Sequence, residues 1–201
     1  TEEDESLAAQ IASSWITDEK IRVPIIFPMV NEASSLKKAW EVASEKLVSF
    51  VRADKEIVFL CQGDISIFAT ASYVLLSIQL NHPELQIKLI PGVTSFSAAA
   101  AVGSLPLSLQ NDQLLILPTP DEPEILDPLL EEAKTIARVI VLLKLGSRWP
   151  WVKSMLRNKN LLAQTLFAQR VGFSDQLVQI ASNVDESIKP YFSMLIIRSS
   201  W

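Results

Sequence analysis

Glycine is scarce in this chain of 201 residues, with five in all and none before Gly63. A single cysteine, Cys61, excludes an internal disulfide and fits a reducing compartment. A single histidine, His82, excludes a metal centre built on several imidazoles and argues against a histidine-dependent triad. No apolar run has the length of a membrane span and no secretory signal is read at the start, so the expected location is the cytoplasm. Basic residues are the minority, 18 Lys and Arg against 23 Asp and Glu, for a net charge of −5. That balance argues against broad nucleic-acid binding, which calls for a basic surface. What is abundant is apolar side chain, 49% of the sequence, enough for the core of one large or two small domains.

The pattern along the chain alternates strands with helices. Residues 1–15 read as a short amphipathic helix with an acidic start. Val23-Pro24-Ile25-Ile26-Phe27-Pro28-Met29 reads as extended, with proline restricting both ends. A helix is expected from 31 to 51, with Asn31 as N-cap and Leu36, Trp40, Ala43, Leu47 and Val51 on one face. Strands are expected at 57–61 and 87–90, and helices at 67–80 and 95–102, the first of these too apolar to be much exposed. A polar stretch at 108–112 looks like a link. Beyond it come strands at 114–117, 139–143 and 166–168 and helices at 122–134 and 151–156. Two closing strands, 176–180 and 192–197, follow with no helix between them, which implies antiparallel pairing. The expected fold is α/β with two αβα lobes, a mainly parallel sheet in residues 1–108 and a mixed sheet in 109–201.

Two strand-to-helix junctions hold the chemistry-bearing residues, Cys61-Gln62-Gly63-Asp64-Ile65-Ser66-Ile67-Phe68 and Pro91-Gly92-Val93-Thr94-Ser95-Phe96-Ser97. Ligands of parallel α/β sheets sit beyond the carboxyl ends of strands, where main-chain N–H groups are free. Taken alone, Gly63-Asp64 is an ordinary turn pair, and Asp64 is a candidate helix cap. Cys61 reads as a buried strand residue, His82 as exposed at a helix end, and Trp40 as core. Trp149 and Trp151 are candidates for a dimer interface, and Arg170 for an ion pair across the lobe boundary.

These segments, taken in order, resemble the tetrapyrrole methylases, S-adenosylmethionine-dependent methyltransferases built from two α/β lobes. Phe27-Pro28-Met29, Trp40, Gly63-Asp64 with Phe68, and Ile90-Pro91-Gly92-Val93-Thr94-Ser95-Phe96 are similar to the precorrin-2 C(20)-methyltransferase branch of cobalamin synthesis. Leu143-Lys144-Leu145-Gly146, Arg170-Val171-Gly172 and Gln176 match its later motifs. Ile65 stands where the pattern has proline, and the Gly103-Ser104 segment is one residue longer than the pattern. The family's opening Gly-x-Gly-Pro-Gly-Asp loop has no counterpart: either a further N-terminal strand and loop lie outside this sequence, which the intact remainder of the pattern favours, or the protein has lost them.

The resemblance implies S-adenosylmethionine as cofactor, bound by Gln62, Gly63, Asp64 and Ile67, by Thr94 and Ser95 at the methionine end, and by Leu145, Val171 and Gly172 near the adenine. It implies a tetrapyrrole substrate, whose carboxylates need cations such as Lys144 and Arg148, with Lys20 and Arg22 as further candidates. It also implies a homodimer. No metal site, membrane contact or nucleic-acid partner is expected. The alternatives are methylation of another corrin position, an RNA- or protein-modifying relative, and a truncated non-catalytic homologue.

Overall fold

The computed structural model describes residues 7–28, 32–188 and 192–199. Met29 and Asn31, together with the first six positions of the expected N-terminal helix, lie outside these residues. The chain divides into two compact units, Thr1–Thr94 and Ser95–Trp201.

The first unit is helical in its regular structure: α1 (Leu7–Ala12), α2 (Ala33–Arg52) and α3 (Thr70–Asn81). Glu32 holds the N-cap position of α2 in extended backbone, and its carboxylate accepts the Ser34 and Ser35 hydroxyls at 2.7 Å each. Helices α2 and α3 close on a small core of Ala43, Val48, Val74 and Ile78, with Ile25, Phe27, Leu47, Phe59 and Leu85 packed around it. Trp40 stacks on Tyr73 with ring centroids 4.1 Å apart and planes 6° from parallel.

Three expectations fail in this unit. Segments 57–61 and 87–90 form no strand ladder, and the only sheet among the described residues lies in the second unit. A parallel strand is buried on both faces, whereas Val58 is 73% exposed and Ile90 72% exposed. Their β-branched composition supplies propensity, but a ladder also needs neighbours. Helix α3 is not covered all round either: Ala71, Val74 and Ile78 are buried, while Tyr73, Leu76 and Leu80 face out. His82 is buried rather than exposed. Its Nδ1 lies 3.3 Å from an Arg52 guanidinium nitrogen, which can only donate, so Nδ1 accepts and Nε2–H donates to Glu45 at 2.8 Å. A position just past a helix end suggested solvent, but these partners on α2 draw the ring inward.

The second unit carries α4 (Ser95–Val102), β1 (Gln113–Pro118), α5 (Pro123–Thr135), β2 (Arg138–Leu143), α6 (Trp149–Asn158), β3 (Thr165–Gln169), β4 (Leu177–Ile180) and β5 (Ser193–Arg198). The sheet order is β1-β2-β5-β3-β4, with β1 parallel to β2 and the other three pairs antiparallel. The expected mixed sheet is therefore present. Leu126 and Leu130 of α5 and Trp149, Val152 and Leu156 of α6 pack on Ile140, Leu142, Phe167, Leu195 and Ile197 of the sheet. Trp149 is wholly buried and donates its Nε1–H to the Asp185 carbonyl at 2.8 Å, which removes it from any interface. The period-2 alternation of β2 and β5 puts their remaining apolar residues on the opposite face. On that face a Cβ added to Gly103, just past α4, would come within 2.5 Å of Leu166. Arg198 at the end of β5 donates to the carbonyls of Pro106 and Leu107 and pairs with Asp112, tying the 105–112 stretch to the sheet.

Candidate functional site

In the first unit the two glycine turns meet. Gly63 has φ +69°, a conformation glycine adopts without strain, and it brings Asp64 round toward the second turn. Asp64 Oδ1 accepts the Ser66 N–H at 2.8 Å and the Ser66 hydroxyl, while Oδ2 accepts the Gly92 N–H at 2.8 Å. The backbones approach so closely that a Cβ at Gly92 would lie 2.2 Å from the Gly63 carbonyl oxygen. The Ser66 hydroxyl, then the Gly92 and Ser66 amides, hold the Asp64 carboxyl below the usual carboxylate range. Around this junction Gln62 and Gly63 are exposed, and Ile67 and Thr94 are half-buried. Burial, and then the Asp64 charge, push the Cys61 thiol up, so it stays protonated at neutral pH and is no nucleophile.

In the second unit the carboxyl ends of β2 and β3 lie at one end of the sheet, flanking the start of β5. The Leu145 N–H donates to the Ser193 carbonyl at 3.2 Å and the Arg170 N–H to the Phe192 carbonyl at 3.0 Å. Two strand spacings separate the turns after β2 and β3, about 10 Å. Lys144, Arg170 and Phe192 all take positive φ at this end, at 55°, 49° and 53°. Left-handed backbone at three non-glycine residues costs energy that the surrounding structure has to hold, here as at six other positions among the described residues. A Cβ at Gly146 or Gly172 would meet nothing within 4 Å, so the main chain there is open to approach.

Lys144 is exposed. Arg148 is not a free cation: its Nε donates to Asp121 at 2.8 Å, another of its N–H groups meets the same oxygen, and a third reaches the Lys144 carbonyl at 3.2 Å. Leu145 is wholly buried in the core, Val171 is half-buried and Gly172 is exposed, its N–H donating to the Gln176 side chain at 3.1 Å. Arg170 pairs with Asp175 at 2.7 Å, five residues along the same turn, rather than across a lobe boundary. The Phe173 ring lies 4.4 Å under its guanidinium. Asp175 is held below the usual carboxylate range chiefly by that hydrogen bond from Arg170.

Of the expected residues, Gln62, Gly63, Asp64, Ile67 and Thr94 belong to the first unit, and Ser95, Leu145, Val171 and Gly172 to the second. The expectation overlooked Ser66 and Asp175, each a direct partner of a turn residue. An Asp-x-Ser sequence is a known side-chain turn signal and pointed to Ser66; nothing local pointed to Asp175. No cluster of three metal-ligating side chains exists among the described residues, and no helix there is long and apolar enough to cross a membrane.

The cobalt-precorrin-2 C(20)-methyltransferase of Salmonella typhimurium is 27% identical over 98% of this chain and 81% of its own length. Among solved structures, a cobalt precorrin-4 methyltransferase superposes with a TM-score of 0.60 at 19% identity, covering 79% of this chain and 70% of that one. The uroporphyrin-III C-methyl transferase of Thermus thermophilus, solved with S-adenosyl homocysteine, gives 0.51 at 21% identity over 79% and 72%. At those identities the two structures speak for the fold alone. The family model for tetrapyrrole (corrin/porphyrin) methylases matches residues 3–185, nearly the whole chain and both sets of turns, and the protein belongs to that family.

Proposed function

We propose that this chain is an S-adenosylmethionine-dependent C-methyltransferase that methylates precorrin-2, or its cobalt-containing form, at C(20). The reading is supported chiefly by the 27% identity to an enzyme of that name along almost the entire sequence. The bound donor supplies an activated methyl group, which an electron-rich ring carbon of a reduced tetrapyrrole takes up in line. Alignment and exclusion of water therefore carry most of the acceleration, and the absence of a free imidazole is no obstacle.

Each unit, taken by itself, offers groups suited to such a donor. The main chain is open at Gly146 and Gly172. Gln62 and Gly63 offer exposed groups for the polar parts of the cofactor, and Ile67 an apolar surface beside them. The Thr94 and Ser95 hydroxyls suit its carboxylate. Val171 and Gly172 supply main-chain groups near the adenine. The wholly buried Leu145 acts by fixing the backbone under it, a narrower role than direct packing on the base. Lys144 is the better candidate for a substrate carboxylate, because Arg148 is committed to Asp121. A homodimer belongs to the same reading.

Isothermal titration of the chain with S-adenosylhomocysteine tests it: saturable one-site binding is expected, and no heat at millimolar ligand refutes it. Incubation with precorrin-2 and methyl-labelled donor, followed by NMR of the product, then checks the position. Label anywhere but C(20) refutes the finer assignment.

A further inference from the structure

The resemblance casts Asp64 as a contact of the methyl donor, but its geometry describes another task. A carboxylate offers about four lone-pair sites, and three are already taken by donors of this chain: the Ser66 N–H, the Ser66 hydroxyl and the Gly92 N–H. The last lies 28 positions away along the sequence. Asp64 does not cap α3, whose N-cap position is Ala69, with no side-chain cap at all. The opposing backbones at Gly63 and Gly92 are in direct contact, so the bond to Gly92 has no slack.

We propose that Asp64 is a positioning residue, a carboxylate latch that locks the turn at 61–66 to the turn at 91–93 and fixes the spacing of their main-chain groups, and that it is not itself a ligand of the methyl donor. The functional half of this rests on the donor reading above; the latch rests on the bonds just described. Locked turns present Gly63 and Thr94 at one separation, so no ordering is left for the moment of binding. Acidification that protonates Asp64 removes the negative charge that strengthens its bonds to Ser66 and Gly92 and loosens the hold between the two turns.

The test uses the 201-residue chain and three variants, Asp64→Asn, Ser66→Ala and Gly92→Ala, each checked for folding by circular dichroism. In ¹H–¹⁵N NMR spectra the wild-type Gly92 amide resonance is expected to titrate in the acid range with the Asp64 carboxyl, and to stay flat in Asp64→Asn. The dissociation constant for S-adenosylhomocysteine is expected to rise about tenfold in Asp64→Asn, the loss of one charge-assisted hydrogen bond. A smaller rise in the same direction is expected in Ser66→Ala, which alters the latch and leaves the carboxylate in place. Gly92→Ala is expected to weaken binding at least as much as Asp64→Asn.

A Gly92 amide that titrates equally in Asp64→Asn overturns the latch. Weakened binding in Asp64→Asn with no change in Ser66→Ala overturns the positioning role in favour of direct contact. A titrating Gly92 amide in a wild-type chain that binds no S-adenosylhomocysteine refutes the donor reading and leaves the latch standing.

Discussion

Replacing Arg198 with methionine is expected to destabilise the second unit more than any surface change of comparable size. The guanidinium is nearly buried, with 6% of the side chain exposed, against 16% for its partner Asp112. It donates to the Pro106 carbonyl at 3.1 Å and the Leu107 carbonyl at 3.5 Å. Methionine fills similar volume, so little of the effect is a cavity. What is lost is the partner of a buried carboxylate, left with the Leu109 N–H at 2.9 Å as its donor, together with the donor for two carbonyls.

Breaking one side of a buried pair costs about 3–5 kcal/mol. Residual exposure of Asp112 lets water in, so the lower end, about 3 kcal/mol, applies here. At about 4–8 °C per kcal/mol for a unit of this size, the melting temperature should fall by about 12–24 °C. Thermal unfolding followed by circular dichroism measures the shift, and hydrogen exchange at residues 105–112 should speed up well before global unfolding. Removing both charges in Arg198→Met/Asp112→Leu should restore much of the loss, because no uncompensated carboxylate remains. A shift under about 2 °C in the single variant, or a double variant as unstable as the sum of its singles, refutes this reasoning.

Two further outcomes follow from local geometry. Gly103→Ala puts a methyl group 2.5 Å from Leu166 and 3.2 Å from the Ala99 carbonyl, so a loss of about 1–3 kcal/mol is expected in urea unfolding, partly relieved by Leu166→Val. The Asp175 carboxyl has its pKa lowered by the hydrogen bond from Arg170. Its contribution to stability is therefore present above the ordinary aspartate value and disappears as the pH falls through the depressed one. NMR titration of Asp175 should show a midpoint below that of a free aspartate, moving back up in Arg170→Gln; an unchanged midpoint contradicts the pairing.

The second unit was largely legible in the sequence because its signals are local and repeated. Unbroken apolar runs at 139–143 and 194–197 marked strands covered on both faces. The run from Glu122 with Pro123 at the first turn marked α5. The absence of a helix between the last two strand signals implied antiparallel pairing, and β4 and β5 are each antiparallel to β3, which lies between them, rather than paired with one another. The first unit was less legible. Segments 57–61 and 87–90 carry the same apolar, β-branched signal, yet pairing depends on neighbours that composition does not encode. His82 misled for a related reason: its place after a helix end is local information, while Glu45 and Arg52 come from another helix.

The order of the motifs alone determined the family, the glycine turns and the residue types gathered at them. Those properties reside in side-chain chemistry and in the few positions where glycine permits unusual backbone, and both can be read one residue at a time. Tertiary structure decided which of these groups are free. It joined Asp64 to Gly92, spent Arg148 on Asp121 and Arg170 on Asp175, and sank Leu145 and Trp149 into the core. Hydrogen bonds and burial depend on distance in space, and residues far apart in the chain reach that distance only after folding.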